Sequence, residues 1–252
     1  MKVRAMGEKY MNKNIQDSTP LKQGNKARRP SAKGSASREH IIATAIKLFQ
    51  ERGYAKTSLS EIARQVGLNQ SSLYYWFPSK EAILECIFQK GDMESFVDKL
   101  QKAQATPTEK IYSLIVCDVV KKCELPFDFF ELESLAHNNP ERFDFLFKNY
   151  RICYQAMVEI VKAGVEEQEF FTRDADETAV VILSIVEGLQ HHFHAKQRGE
   201  LILEASGYCV KNHTPENIGH LAAHAILFSL SAKQIDLDNI RKNCQDILHE
   251  II

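Results

Sequence analysis

Thr57-Ser-Leu-Ser-Glu-Ile-Ala-Arg-Gln-Val-Gly-Leu-Asn-Gln-Ser-Ser-Leu-Tyr-Tyr-Trp-Phe77 reads as two short helices and the turn between them. Ser58 predicts an N-cap, and Glu61, three residues on, can reach back to it, so a capping box opens a helix at Leu59. Leu59, Ile62, Ala63 and Val66 then fall at i, i+3, i+4 and i+7, on one buried face. Gly67 stops the helix, because it takes a left-handed backbone at the least steric cost. Leu68 is expected to be a buried turn residue, and Asn69 to cap a second helix from Gln70 to Phe77. Leu73 and Phe77 share one face of that helix, which leaves Gln70, Ser71, Ser72, Tyr75 and Trp76 on the others. Two helices across a short Gly-containing turn match the helix-turn-helix, whose second member enters the DNA major groove. Taken alone, the pattern also fits a plain helical hairpin.

A longer string decides between them. From residue 37 to 90 the chain resembles the DNA-binding domain of the TetR/AcrR family of transcriptional regulators. The match is carried by Ile42, Ala45, Leu48, Phe49, Gly53, Tyr54, Thr57, Ile62, Ala63, Val66, Gly67, Leu73, Tyr74, Tyr75, Phe77, Ser79, Lys80, Glu81 and Leu84. The family's tripeptide before the Leu-Tyr pair is usually Gly-rich, whereas here it is Gln70-Ser71-Ser72, and Trp76 stands where smaller aromatics or His are common. These departures bear on which operator is read. The resemblance implies an all-α protein, with an N-terminal three-helix helix-turn-helix domain, a C-terminal helical ligand-binding and dimerisation domain, and about nine to ten helices in all.

Charge supports the same orientation. The 252 residues have a net charge of only −1, but residues 1–38 carry +8, residues 39–90 carry +1 and the remainder −10. The basic end suits phosphate and the acidic remainder is repelled by it. Residues 1–36 set Lys22, Lys26, Arg28, Arg29 and Lys33 among Pro, Ser and Gly without apolar periodicity, and read as a flexible basic arm that adds DNA contacts or is dispensable. With 44% hydrophobic and 26% charged residues, the chain can bury a full core. Residues 37–90 are expected to form the DNA-binding domain and residues 91–252 the effector-binding and dimerisation part. No apolar run approaches the roughly 18 residues of a membrane span, and the N-terminus lacks the apolar centre of a signal peptide, so no membrane is expected as a partner and the chain is expected in the cytoplasm. Six scattered cysteines without a Cys-x-x-Cys pair read as small buried residues, with a redox pair at Cys117 and Cys123 as the alternative.

Downstream, Gly and Pro read as joints between helices and no alternating β pattern occurs. Ser79 is expected to cap a helix reaching toward Leu100, with Gly91 inside it as a hinge, or with Asp92 capping a second helix. Thr106-Pro107-Thr108-Glu109 supplies a cap, a proline at the first helical position and a box-closing Glu for a helix to Cys123. Pro126 begins a short helix to Ala136, and Asn139-Pro140 a long one to Val165. Asp174 caps a helix ending by Gly199, Thr214-Pro215-Glu216 opens another, and a last one runs from Asp238 to Ile251.

On the DNA side, Gln70 can bond a base edge, bidentately with adenine, and Ser71 and Ser72 can reach bases or phosphates. Tyr75 offers a ring to a thymine methyl or sugar and a hydroxyl to phosphate. The resemblance assigns Thr57, Tyr74, Tyr75 and Lys80 to the DNA backbone. Ser58 and Asn69 at the helix starts, and Trp76, which packing claims equally, complete the candidate set. The partner is then a double-stranded operator, (pseudo)palindromic because the family's members are homodimers. The matching dimer helices are residues 175–197 and 215–233, with Ala179, Ile182, Val186, Ala222, Ala223 and Ile226 small or aliphatic enough for close approach, although ordinary core fits them as well.

Aromatics crowd the stretch from Phe127 to Tyr154. Most helical aromatics are core, but Phe127, Phe130, Phe147, Tyr150, Tyr154 and Met157 are the candidates to line a pocket for a largely apolar small-molecule effector. Asp128, Glu131 and Glu133 leave room for a cationic one. His191, His192, His194, His220 and His224 lack a Cys or carboxylate at matching spacing, so no metal and no cofactor are expected. No phosphate loop, nucleophile elbow or catalytic constellation points to an enzyme. The resemblance implies a repressor released by its effector; the alternative is a constitutive or architectural DNA-binding factor without one.

Overall fold

The computed structural model describes residues 32–89, 93–207 and 214–249, with side chains from residue 38 onward. The arm up to residue 31 and the Gly91 hinge lie outside the described residues. All regular structure among the described residues is helical, apart from one isolated bridge between Phe170 and Ser231.

The first helix, α1 (Ala32–Arg52), starts inside the stretch read as an arm. It is followed by α2 (Leu59–Gln65), α3 (Gln70–Trp76) and α4 (Lys80–Gln89). Ile41, Ile42, Ala45, Leu48 and Phe49 of α1 pack on Ile62, Ala63, Leu73, Phe77, Ile83 and Leu84. This core does not close within the first 90 residues. It also takes in Phe127, Phe129, Leu132, Ala136, Phe143 and Leu146, from the stretch that holds α7 (Phe129–Asn138) and the 3-10 turn Pro140–Arg142. Phe127 lies edge-on to Phe49 and Tyr54, with ring centroids 6.2 Å from each, and stacks on Phe88 at 6.3 Å.

A second core gathers α5 (Met93–Lys102), α6 (Pro107–Glu124), α8 (Asp144–Glu166), α9 (Ala175–Gln197) and α11 (Pro215–Leu230), with α12 (Leu237–Asn243) and α13 (Gln245–His249) at its side. Between α9 and α11 lies the short α10 (Ile202–Ala205). α6 is the axis of this core. It is buried without interruption from Ile111 to Val120, the signature of a helix enclosed on all sides. Gly164, Gly188 and Gly219 sit inside helices rather than at joints. At Gly219 a Cβ would stand 3.2 Å from the Val116 carbonyl oxygen, so the missing side chain lets α11 close on α6.

The caps explain the boundaries. Thr106 and Glu109 exchange reciprocal bonds, with Glu109 N donating to Thr106 Oγ1 at 3.2 Å and Thr106 N to Glu109 Oε2 at 2.9 Å. Asp174 Oδ1 accepts from Asp176 N and Glu177 N, and Thr214 Oγ1 accepts from Asn217 N. Three expected helices are shorter or broken. The stretch opened by Pro126 becomes helical only at Phe129, where Asp128 supplies the cap, and Asn139-Pro140 begins a 3-10 turn, with α8 starting at Asp144. The last helix divides at Cys244, whose sulfur turns toward the Glu109 carbonyl oxygen at 3.5 Å.

The histidines of the second core carry a pH signature. His220 Nδ1 lies 2.7 Å from the Tyr112 hydroxyl, and burial, with Arg241 and His224 adding to it, pushes the imidazole pKa from 6.5 down to about 4. Burial also lowers His224 and His194. The unfolded chain therefore takes up protons below 6.5 that the fold refuses until about 4, and stability is lost across that window as pH falls. The melting temperature is expected to fall between pH 7 and pH 5, and to fall less in His220→Gln; equal slopes in calorimetry would remove His220 from the cause.

Candidate nucleic-acid interface and ligand cavity

The helix-turn-helix is held by local bonds. Glu61 N donates to Ser58 Oγ at 3.2 Å while Ser58 N donates to Glu61 Oε2 at 3.0 Å. Gly67, at φ +71°, turns the chain, and Leu68 N closes the corner on Ala63 O at 2.9 Å. Asn69 Oδ1 then accepts from Ser72 N at 2.7 Å and starts α3. Leu73 and Phe77 are buried beneath it.

What this mount presents is polar and aromatic. Gln70, Ser71, Tyr74 and Tyr75 are exposed, Tyr75 to 84%, and Trp76 lies half-buried with its ring edge-on to Tyr75 at 5.8 Å. A tyrosine held at that exposure on a helix of two turns, with only the edge of one neighbouring ring against it, gains little from packing in the isolated chain. Ser58 and Asn69 are exposed at the two helix starts but are engaged as caps, and Ser72 is half-buried. Lys56 and Arg64, passed over in the sequence, are exposed cations beside and on α2.

Two residues assigned to the DNA backbone are turned inward. Thr57 is only 2% exposed, and its hydroxyl lies 2.9 Å from Gly53 O and 3.3 Å from Leu48 O, sealing the end of α1. Lys80 donates to Tyr54 O at 2.7 Å and Thr57 O at 2.8 Å, with its ammonium 4.1 Å from the Tyr54 ring centroid. Burial holds the Lys80 pKa below its usual range. Lys80 thus latches the loop before α2 to the start of α4. Beside it, buried Glu81 accepts from Tyr54 Oη at 3.3 Å and Arg142 Nη2 at 2.9 Å. No sequence spacing brings these groups together.

A cavity of about 350 Å³ lies where the two cores meet, walled by Ile87, Phe88, Met93, Phe129, Leu146, Tyr150, Cys153 and Leu183 and by polar groups that include Asp118, Lys122 and Asn149. Of the six pocket candidates, only Tyr150 lines it. Phe127 and Phe147 pack on the core beneath the helix-turn-helix, and Met157 is fully enclosed in the second core. Phe130 is exposed against the His191 ring, and the Tyr154 hydroxyl donates to Asp176 at the surface. Counting aromatics could not separate wall from filling.

The cavity's polar wall is a buried ion cluster. Lys122 Nζ stands 2.9 Å from Asp118 Oδ2, 3.9 Å from Glu187 Oε1 and 5.0 Å from the Phe129 ring centroid. Burial opposes the ammonium charge, but the Asp118 carboxylate and its hydrogen bond outweigh it and the pKa goes up. Burial, more than any neighbour, pushes up both the Glu187 carboxyl and the Tyr150 hydroxyl. The signal was present in Asp118 and Lys122, an i, i+4 pair whose aspartate interrupts the apolar run from Leu114 to Val120.

The other candidates have partners or are enclosed. Among the described residues no group of three or more His, Cys, Asp or Glu is arranged for a metal. His191 Nδ1 lies 2.6 Å from Asp128 Oδ2. Burial pushes the Cys117 and Cys123 thiols up to about 12, against thiolate chemistry. Ala179, Ile182, Val186, Ala222, Ala223 and Ile226 are all buried within the single chain, so none can face a second copy. The exposed apolar residues lie one or two positions away on the same helices: Val180 at 54%, Val181 at 55%, Leu221 at 57% and Phe228 at 67%. One residue is a turn of about 100° on a helix, enough to exchange an inner face for an outer one. No helix among the described residues is long and apolar enough to cross a membrane.

Comparison with known proteins bears on the same two regions. Residues 41–87 match the family model of bacterial regulatory proteins of the tetR family, and residues 77–207 match the C-terminal region of QacR-like proteins. The HTH-type transcriptional regulator AcrR of Shigella flexneri is 23% identical over 202 residues, 72% of this chain and 90% of that protein. The biofilm operon icaADBC HTH-type negative transcriptional regulator IcaR of Staphylococcus aureus is 48% identical over 48 residues, 19% of this chain and 26% of that protein. The crystal structure of Mycobacterium smegmatis AmtR superposes with a TM-score of 0.62 at 21% identity, covering 89% of this chain and 98% of that one, a likeness of fold.

Proposed function

Because the chain belongs to the tetR family of bacterial regulatory proteins, we propose that it is a homodimeric repressor in the cytoplasm, released from a pseudo-palindromic operator by a small, largely apolar molecule. DNA-binding transcriptional regulation is the family's work, and the exposed face of α3 carries the reading to this chain. Gln70 is the base-reading group and Tyr75 the sugar-phosphate or thymine contact, with Ser71 and Tyr74 beside them. Lys56 and Arg64 take the phosphate role that the resemblance implies for Lys80 and Thr57, because two of the three Lys80 N–H groups and the Thr57 hydroxyl are engaged inside the fold.

The effector reading rests on the cavity at the seam of the two cores. Its volume of about 350 Å³ is at the lower end of what small-molecule sites enclose. Phe88 and Phe129 touch both the cavity and the core beneath the helix-turn-helix, so a ligand there can favour one arrangement of that mount over another. A constitutive factor has no use for such a cavity. Residues 37–90 then supply the DNA contacts and, through Ile87 and Phe88, part of the effector site, and residues 91–252 supply the rest of it and the dimer face.

Selection of bound duplexes from a random pool tests the reading directly, and recovery of no enriched sequence at low salt would reject it. On the recovered sequence, Tyr75→Ala is expected to weaken binding to all variants of the site about equally. Gln70→Ala should instead relax preference at one base pair, by about 1–3 kcal/mol. Unchanged affinity and selectivity in both would move the recognition surface elsewhere.

A further inference from the structure

Tyr75 and Trp76 are neighbours in sequence that face different surroundings. Tyr75 stands two residues after Leu73 and two before Phe77, both buried, so at about 100° per residue it points almost straight away from the core. Its side chain is 84% exposed. Trp76, one step round the helix, is half-buried and packs on the core that α1, α2 and α4 share. The two rings meet with centroids 5.8 Å apart and planes at 86°, the edge-to-face arrangement that aromatic pairs favour. A tyrosine so far from the core would otherwise be spread over several rotamers, and fixing it on a ligand would cost that freedom. Trp76 joins the core on one side to Tyr75 on the other, and so lends the exposed ring the rigidity of the buried one.

We propose that Trp76 is a positioning residue for operator binding: it touches no DNA itself, and holds the Tyr75 ring where its hydroxyl meets one phosphate of the duplex. The proposal rests on the reading of the chain as an operator-binding protein, and it narrows the Tyr75 contact to the DNA backbone. The reason is directionality. A hydroxyl bonded to a charged phosphate oxygen is short and geometrically exacting, so it gains from a ring fixed in advance. Contact with a thymine methyl is non-directional and gains little from the same restraint. The indole edge leaves free the tip of the Tyr75 ring, which carries the hydroxyl outward, away from Leu73 and Phe77. An aromatic pair of this geometry is worth about two- to tenfold in an equilibrium, and that is the size of the contribution Trp76 makes through Tyr75.

The test is a double-mutant cycle, read as affinity of the full-length protein for the duplex it selects. Tyr75→Phe, which removes only the hydroxyl, is expected to weaken binding about tenfold. Trp76→Leu keeps an apolar group on the core but has no ring, and should weaken binding by about three- to fivefold. Trp76→Phe restores a ring edge and should stay within about twofold of wild type. With the hydroxyl already removed, Trp76→Leu should cost less than about a further 1.5-fold, because it acts through the same contact. Losses that multiply in full overturn the proposal, since Trp76 then either touches DNA itself or merely shapes the whole mount. Duplexes in which one phosphate at a time is replaced by an uncharged methylphosphonate locate the contact. One such replacement should weaken the wild type and have a smaller effect in Tyr75→Phe and in Trp76→Leu, at the same position in both. Wild-type sensitivity at that phosphate in Trp76→Leu also overturns the proposal. A wild type that binds no duplex brings down the operator reading itself, whereas a wild type that binds and a Trp76→Leu that equals it bring down this proposal alone.

Discussion

Leu221→Asp combined with Phe228→Asp should leave the chain monomeric and lower its affinity for a two-half-site duplex by about two orders of magnitude or more. The two residues are seven apart on α11, two helical turns, so they share a face, and they are 57% and 67% exposed. Val180 and Val181 on α9 are exposed by more than half as well. Fully burying such side chains is worth about 1.5–3 kcal/mol each, and a soluble helix with large apolar groups on its outer face has that energy to gain from a partner. Two carboxylates on the same face reverse the sign, because each copy would have to desolvate charge against charge. A lone helix-turn-helix reads few base pairs, so most of the operator affinity comes from joining two of them at a high effective concentration. Light scattering on the eluting protein reads the first effect and titration with paired half-sites the second. Ala222→Asp is the contrast: Ala222 is fully enclosed, and its substitution should unfold the chain rather than divide the dimer. A Leu221→Asp/Phe228→Asp protein that stays dimeric would place the interface on another surface.

The difference between Leu221 and Ala222 also marks what the sequence could and could not say. The helix-turn-helix was legible because its determinants are local: Ser58 with Glu61, Gly67 and Asn69 each act within four residues, and the caps at Thr106, Asp174 and Thr214 do the same. Which face of α9 or α11 looks inward is a tertiary matter. Both helices are apolar on more than one side, so small residues such as Ala179 and Ala222 fit an interface and a core equally well. Lys80 shows the same limit at shorter range, since its partners Tyr54 O and Thr57 O lie more than twenty residues earlier. The cavity was least legible. Its walls come from α4, α5, α6, α7, α8 and α9, and composition picked out Phe127, which packs in a core, and passed over Phe129, which both packs in that core and lines the cavity.

Lys122→Met is expected to destabilise the fold by about 3–5 kcal/mol, the usual cost of removing one partner from a buried ion cluster. Asp118 and Glu187 would be left enclosed, at 3% and 8% exposure, with no counter-charge. Nothing in the protein then replaces the water they gave up, and the Glu187 carboxyl, already pushed up by burial, responds by binding a proton. In the wild type Lys122 already opposes the upward shift that burial imposes on Glu187, and its loss raises the folded-state pKa of that acid further above its unfolded value. A raised carboxyl pKa favours the fold at low pH and the advantage disappears as pH rises through it, so the deficit of Lys122→Met should be largest near neutrality and shrink toward about pH 5. Denaturant unfolding at the two pH values measures this, and a deficit below about 1 kcal/mol at neutrality, or one that does not depend on pH, would mean that water reaches the cluster. The double variant Lys122→Met/Asp118→Leu separates charge from packing. It removes the cation together with its nearest anion, leaving Glu187 to bind a proton, and should recover much of the loss, because a buried pair replaced by apolar side chains of similar volume is often neutral. If it does, the ion cluster is not needed for folding. Its place in the wall of the cavity, against Phe129 at the head of α7, then has to be explained by what it does there for a bound molecule.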